Sequence, residues 1–109
     1  MMKTREEILQ VVREFHQRLV SIYGVRLKGV YLFGSYAREE ADEDSDIDIA
    51  IVLESLVKRN EELRRISELR SALSLQHNVV LMPFFLSEEE FHTPPEAIFR
   101  HIVNEGVMV

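Results

Sequence analysis

The stretch from Val30 to Leu53, VYLFGSYAREEADEDSDIDIAIVL, sets two carboxylates into an otherwise apolar segment, and few folds accommodate that arrangement. Asp46-Ile47-Asp48-Ile49 alternates strictly, so an extended strand puts Asp46 and Asp48 on one face and Ile47 and Ile49 on the other. Ala50-Ile51-Val52-Leu53 follows without a polar residue, the pattern of a strand covered on both faces near the middle of a sheet. Charged groups at the end of so apolar a strand are costly unless a counter-charge binds them. Upstream, Val30-Tyr31-Leu32-Phe33 is apolar, β-branched and aromatic; it reads as a second strand that stops at Gly34-Ser35.

A hard divalent cation is the natural counter-charge. Mg²⁺ takes oxygen ligands and is commonly held by one or two carboxylates together with substrate phosphates, so Asp46 and Asp48 are the candidate metal ligands. The Gly34-Ser35 turn supplies the other half. Glycine lets bare backbone approach a ligand. If Ser35 caps a short helix through Tyr36-Ala37-Arg38-Glu39, free N–H groups and the helix dipole face an anion there. Phosphate and metal are then expected to meet between the two neighbouring strands.

Between them lies an acidic run, Glu39, Glu40, Asp42, Glu43 and Asp44. It does not make a calcium loop. Starting at Asp42 puts Ile47 where the sharp turn needs Gly and Leu53 where a bidentate Glu belongs, and starting at Asp44 fails in the same way at Ile49 and Ser55. These side chains are expected to form a solvated turn.

The remainder of the chain reads as helices and strands around this core. Thr4 to Glu7 is a capping box opening a helix whose stripe is Ile8, Val11, Val12, Phe15, Leu19 and Ile22, ended by a left-handed Gly24. Lys58 to Leu75 carries Leu63, Ile66, Leu69 and Leu73 at helical spacing and describes one crossover helix. Val79 to Met82 is the third strand, with Pro83 marking an edge or an end. Ser87 to Glu90 is a second capping box, Glu96 to Asn104 a further helix stopped by Gly106, and Val107 to Val109 a small last strand. His16, His92 and His101 lack the partners in sequence that a metal or catalytic role would need, and none is assigned one. The expected architecture is a single α/β domain over residues 1–109, a mixed β-sheet with flanking helices.

Composition narrows the function. A chain of 109 residues is expected to bury a real core and to leave no room for a second lobe. With a formal net charge of −6 and its basic residues dispersed, it is not expected to bind nucleic acid. The absence of cysteine agrees with a reducing compartment, no segment has a signal-peptide layout, and the apolar run from Val79 to Leu86 is too short to span a bilayer, so a cytoplasmic location and no membrane are expected.

Gly34-Ser35 followed after ten residues by Asp46-x-Asp48 resembles the signature of the nucleotidyltransferase superfamily that includes DNA polymerase beta. More closely, GSYAREEADEDSDIDIAIVLE is similar to the minimal nucleotidyltransferases, small proteins paired with HEPN-domain partners in toxin–antitoxin modules. The resemblance implies a nucleotidyltransferase fold and transfer of a nucleoside monophosphate, AMP from ATP, to an acceptor hydroxyl on a HEPN partner, the chain acting as antitoxin. It further implies that Asp46 and Asp48 hold Mg²⁺ and that Gly34 and Ser35 cradle the β and γ phosphates. Family members carry an Arg at the place of Arg38 followed by Gly; here Glu39 stands for that Gly, and Arg38 either meets phosphate or pairs with Glu40 or Asp42. The family's third strand contributes a third carboxylate, yet nothing between His77 and Leu86 is acidic. Of the third-strand residues, Asn78 offers a neutral oxygen and Val80 and Met82 no useful ligand. The alternative is therefore a nucleotidyltransferase-fold interaction module that binds its partner, and a nucleotide, with little or no chemistry.

Overall fold

The computed structural model describes residues 3–42, 44–55 and 58–109; Glu43, part of the acidic run, lies outside them. Among the described residues four strands make one sheet, in the order β3-β2-β1-β4. In chain order the elements are α1 (Arg5–Tyr23), β1 (Leu27–Phe33), α2 (Gly34–Ala37), β2 (Ile47–Leu53), α3 (Arg59–Arg65), α4 (Ser67–His77), β3 (Leu81–Ser87), α5 (Glu88–His92), α6 (Ala97–Glu105) and β4 (Val107–Met108). β1 runs antiparallel to β2 and to β4, while β2 and β3 are parallel, so the mixed sheet with flanking helices expected from the pattern is what forms, in an α+β arrangement.

β2 lies inside the sheet and is buried along almost its whole length, as its unbroken apolar run requires. Its alternate residues serve two cores. Ile47, Ile49, Ile51 and Leu53 join Val30, Leu32, Leu81 and Phe85 beneath α1 and α4. Ala50 and Val52 pack with Leu86, Phe99 and Ile102 under α5 and α6. Each fully buried isoleucine or leucine adds about 1.5–3 kcal/mol of burial. This second layer is much the smaller, and it stops short of Asp48.

Both capping boxes form: the Glu7 N–H donates to Thr4 Oγ1 at 3.1 Å and the Thr4 N–H to Glu7 Oε1 at 2.9 Å, with the same exchange between Ser87 and Glu90. Other expectations need correcting. Ile22 is 41% exposed, and Tyr23 is buried in its place because its hydroxyl donates to the buried Glu62 at 2.9 Å. Gly24 has φ 56° and ψ −130°, outside the left-handed helical region, and leads into a 3₁₀ turn over Gly24–Arg26. The single crossover helix is two, broken at Ile66, where φ −101° and ψ 6° leave the helix and Ser67 Oγ donates to the Arg64 carbonyl at 3.0 Å. The break drops Ile66 into the core, fully buried, and leaves Leu63 at the surface. The third strand starts later than the apolar run and passes through Pro83 to Ser87, which an edge strand tolerates because its outer side needs no ladder donors. Asn78 is not in it; it caps α4 in the left-handed conformation at φ 53°.

Among the described residues Glu62 is the one buried charge, and it is fully engaged. Besides Tyr23, Arg65 Nε reaches its Oε1 at 3.1 Å and Arg26 Nη2 its Oε2 at 3.6 Å. Burial, followed by the hydrogen bond to Glu62, pushes the Tyr23 phenol well above its ordinary range. Tyr23→Phe is expected to lower the unfolding free energy by about 1.5–3 kcal/mol, the range for a hydrogen bond to a charged group, read from urea denaturation. A second expectation concerns the turn after α2. Glu39, at the place where the resemblance implies Gly, has φ 61°, and its carboxylate pairs with Arg5 across the turn. Glu39→Gly should leave stability within about 1 kcal/mol of the parent, whereas Glu39→Val should cost about 1–2 kcal/mol more, because a β-branched residue resists that conformation.

Candidate functional site

β2 begins at Ile47, so Asp46 lies just ahead of the strand, exposed, and Asp48 sits within it, half-buried. In register, Asp48 pairs with Phe33 on β1 and with Met82 on β3. Phe33, Asp48 and Met82 therefore form one row across the sheet, on the face that α5 and α6 cover incompletely. The position that faces Asp48 from the third strand is thus Met82, a thioether 41% exposed, and no carboxylate stands there.

Gly34 abuts this row. Its φ of 72° is one that residues with side chains rarely adopt, and a Cβ built there would lie 2.1 Å from Asp48 Oδ2 and 3.0 Å from its Cγ. Bare backbone at Gly34 is what lets β1 end against the carboxylate. α2 follows as a single turn, Gly34–Ala37, with Phe33 in the capping position and no side-chain cap. Ser35 therefore does not cap, contrary to expectation; it lies inside the first turn, half-buried, and its carbonyl accepts the Glu40 N–H at 2.9 Å.

Burial first, and then the neighbouring charge of Asp46, raise the Asp48 carboxyl above its usual range, with Arg38 acting the other way. Asp48 is thus a carboxylate the protein does not compensate internally. Arg38 is occupied elsewhere: Nε donates to Glu40 at 3.0 Å and Nη1 to Glu105 on α6 at 3.0 Å, while Asp42 is not its partner. Asp42 instead closes the acidic turn, accepting the Asp44 N–H at 2.9 Å.

These residues surround an open cleft of about 540 Å³, lined by Gly34, Ser35, Arg38 and Asp48 on one side and Ile98, His101 and Glu105 on the other. Four of the five sequence candidates meet in it, and Asp46 stands close enough to shift Asp48 electrostatically. His101 and Glu105 are not marked as functional by the linear pattern. With Ile98 they recur at spacings of three and four and so share one face of α6, a signal that was present but reads equally as a surface stripe. His101 Nδ1 faces Glu105 Oε1 at 3.7 Å.

The donor set suits a magnesium ion bound with phosphate. Asp46 and Asp48 offer oxygen ligands only, and among the described residues no third Asp, Glu or His joins them, so substrate and water would complete the shell. The uncompensated Asp48 is the group a cation would relieve.

Comparison with known proteins agrees with this geometry. A model of the nucleotidyltransferase domain matches residues 9–104. A candidate protein adenylyltransferase of Methanocaldococcus jannaschii is 30% identical over 103 residues, covering 94% of this chain and 99% of the relative. Among solved structures, the toxin–antitoxin MntA–HpeT superposes with a TM-score of 0.60 at 18% identity, over 97% of this chain and 72% of that one. A toxin–antitoxin structure with AMP-PNP gives 0.56 at 20% identity, over 97% and 72%. With the domain model spanning nearly the whole chain, and the fold and the Gly34–Asp48 junction in accord, the chain belongs to the nucleotidyltransferase domain family.

Proposed function

We propose that this protein transfers AMP from ATP to a hydroxyl of a partner protein of the HEPN type, in the cytoplasm, and that the modification makes it the antitoxin of a toxin–antitoxin pair. The observation that carries the reading is Asp48, half-buried and unpaired, packed against the bare backbone of Gly34 at the mouth of a cleft. A relative named for protein adenylylation and toxin–antitoxin assemblies of the same fold, one with AMP-PNP, support it. The net charge of −6 favours a protein over a nucleic acid as the second substrate.

In this reading Gly34 and Ser35 receive the β and γ phosphates. The first-turn N–H groups of a helix have no partner within it, and the glycine leaves room for a phosphate oxygen to approach them. Asp46 and Asp48 would hold Mg²⁺, which when bound supplies positive charge to the triphosphate as the α-phosphorus is attacked. Arg38 braces α6 against the turn through Glu105 and Glu40, and meets a phosphate only by exchanging one of those carboxylates. Ile98, 42% exposed, gives the far wall an apolar surface.

One observation favours a second reading. Met82 faces Asp48 where a third carboxylate would stand, so the chain would bind nucleotide and partner without turning them over.

Titration calorimetry is expected to show ATP binding that requires Mg²⁺ and is lost in Asp48→Asn; equal, negligible heats with and without the metal would count against the site. Gly34→Ala introduces a methyl group into the Asp48 carboxylate at a strained φ, and the about 1–2 kcal/mol of strain should weaken ATP binding about tenfold. The transfer itself is read from α-labelled ATP incubated with the protein and a helical HEPN-type protein. Label on the partner, absent with Asp48→Asn, is the expected result; tight binding with no label would leave the binding-module reading in its place.

A further inference from the structure

The row Phe33–Asp48–Met82 leaves the proposed reaction short of a proton acceptor. An acceptor hydroxyl attacks well only if its proton is taken, and a positioned base contributes about 10²- to 10⁴-fold. Among the residues lining the cleft, Ser35, Arg38 and Ile98 are not bases at neutral pH. Asp48 is needed for the metal, and Glu105 is held by Arg38 at 3.0 Å. His101 remains. It stands on the same face of α6 as Ile98 and Glu105, across the cleft from Gly34 and Ser35, with its side chain 66% exposed. Its Nδ1 edge is turned to Glu105 at 3.7 Å, which leaves Nε2 with no hydrogen-bond partner among the described residues.

We propose that His101 is the general base of this cleft, taking the acceptor's proton from the α6 side in place of a carboxylate on the third strand. The proposal rests on the adenylyl-transfer reading. The acceptor O–H proton passes to Nε2 of His101 while the oxygen's electron pair forms the bond to the α-phosphorus. The bond from the α-phosphorus to the bridging oxygen breaks, and its electrons leave with pyrophosphate. The imidazolium then returns its proton to solvent. α6 is fixed for this task from both sides: Phe99 and Ile102 are buried against the sheet, and the Arg38–Glu105 pair ties its last turn to the phosphate turn.

The test compares the parent protein with His101→Ala, His101→Gln and, as a control outside the cleft, the exposed His92→Ala. Each is measured with α-labelled ATP, Mg²⁺ and the partner protein that takes label from the parent. The expected result is a fall of about 10²- to 10⁴-fold in transfer for both His101 variants. Calorimetric ATP affinity should stay within about twofold of the parent, since a base for the acceptor adds nothing to nucleotide binding. Free imidazole should restore part of the transfer to His101→Ala, which has room for it, and less to His101→Gln. Full transfer by both His101 variants would overturn the role of His101 while leaving the adenylyl-transfer reading intact. A loss that imidazole does not relieve, accompanied by weakened ATP binding, would overturn it as well, by making the residue a structural support. A parent protein that binds ATP and transfers nothing to any partner would overturn both readings together.

Discussion

The approach of the Gly34 backbone to the Asp48 carboxylate is the contact on which the rest of the site depends. A strand that ends on any larger residue would have to move away from β2, because a Cβ at that point falls 2.1 Å from a carboxylate oxygen. The positive φ at Gly34 turns the chain directly from β1 into α2, so the first-turn backbone and the Asp48 carboxylate become neighbours although thirteen positions separate Ser35 from Asp48 in sequence. The two halves of the candidate site are thus one packing arrangement.

The fold handles the carboxylates of Glu62 and Asp48 in opposite ways. Glu62 is surrounded by a phenol and two guanidinium groups, and its charge is satisfied within the protein. Asp48 has burial and the like charge of Asp46 against it, and only the more distant Arg38 in its favour. An isolated domain gains nothing from leaving a carboxylate in that condition, since an uncompensated buried charge opposes folding. Glu62 belongs to the architecture; Asp48, in the function proposed, is where a ligand would complete it.

Unequal covering of the sheet produces the cleft. The face beneath α1 and α4 is closed by a large continuous core, whereas α5 and α6 seal only the part of the other face around Ala50, Val52 and Leu86. α6 nevertheless reaches the open end, because Arg38 ties Glu105 to the turn after β1. That ion pair brings His101 and Ile98 opposite Gly34, and it also explains why Arg38 is not simply waiting for phosphate. The opening is thereby faced by the Met82 thioether on the third strand and by His101 on the facing helix.

Local pattern alone determined the strands around Gly34 and Asp48, both capping boxes and the fully covered character of β2, while it left Pro83 as an edge or an end. Alternation, capping chemistry and unbroken apolar runs act over a few residues and survive in any context that folds. Tertiary structure decided the rest. Whether Ile22 or Tyr23 turned inward depended on Glu62, 39 residues from Tyr23. The break at Ile66 depended on the core beneath it, and the true start of β3 on hydrogen bonding to β2. The partner of Arg38 could not be read from its neighbours, because Glu105 lies 67 residues away and reaches it only once α6 folds back over the sheet. His101 stayed anonymous for the same reason: its spacing to Ile98 and Glu105 marks one helix face, and only the packed structure shows that this face looks onto Asp48's cleft.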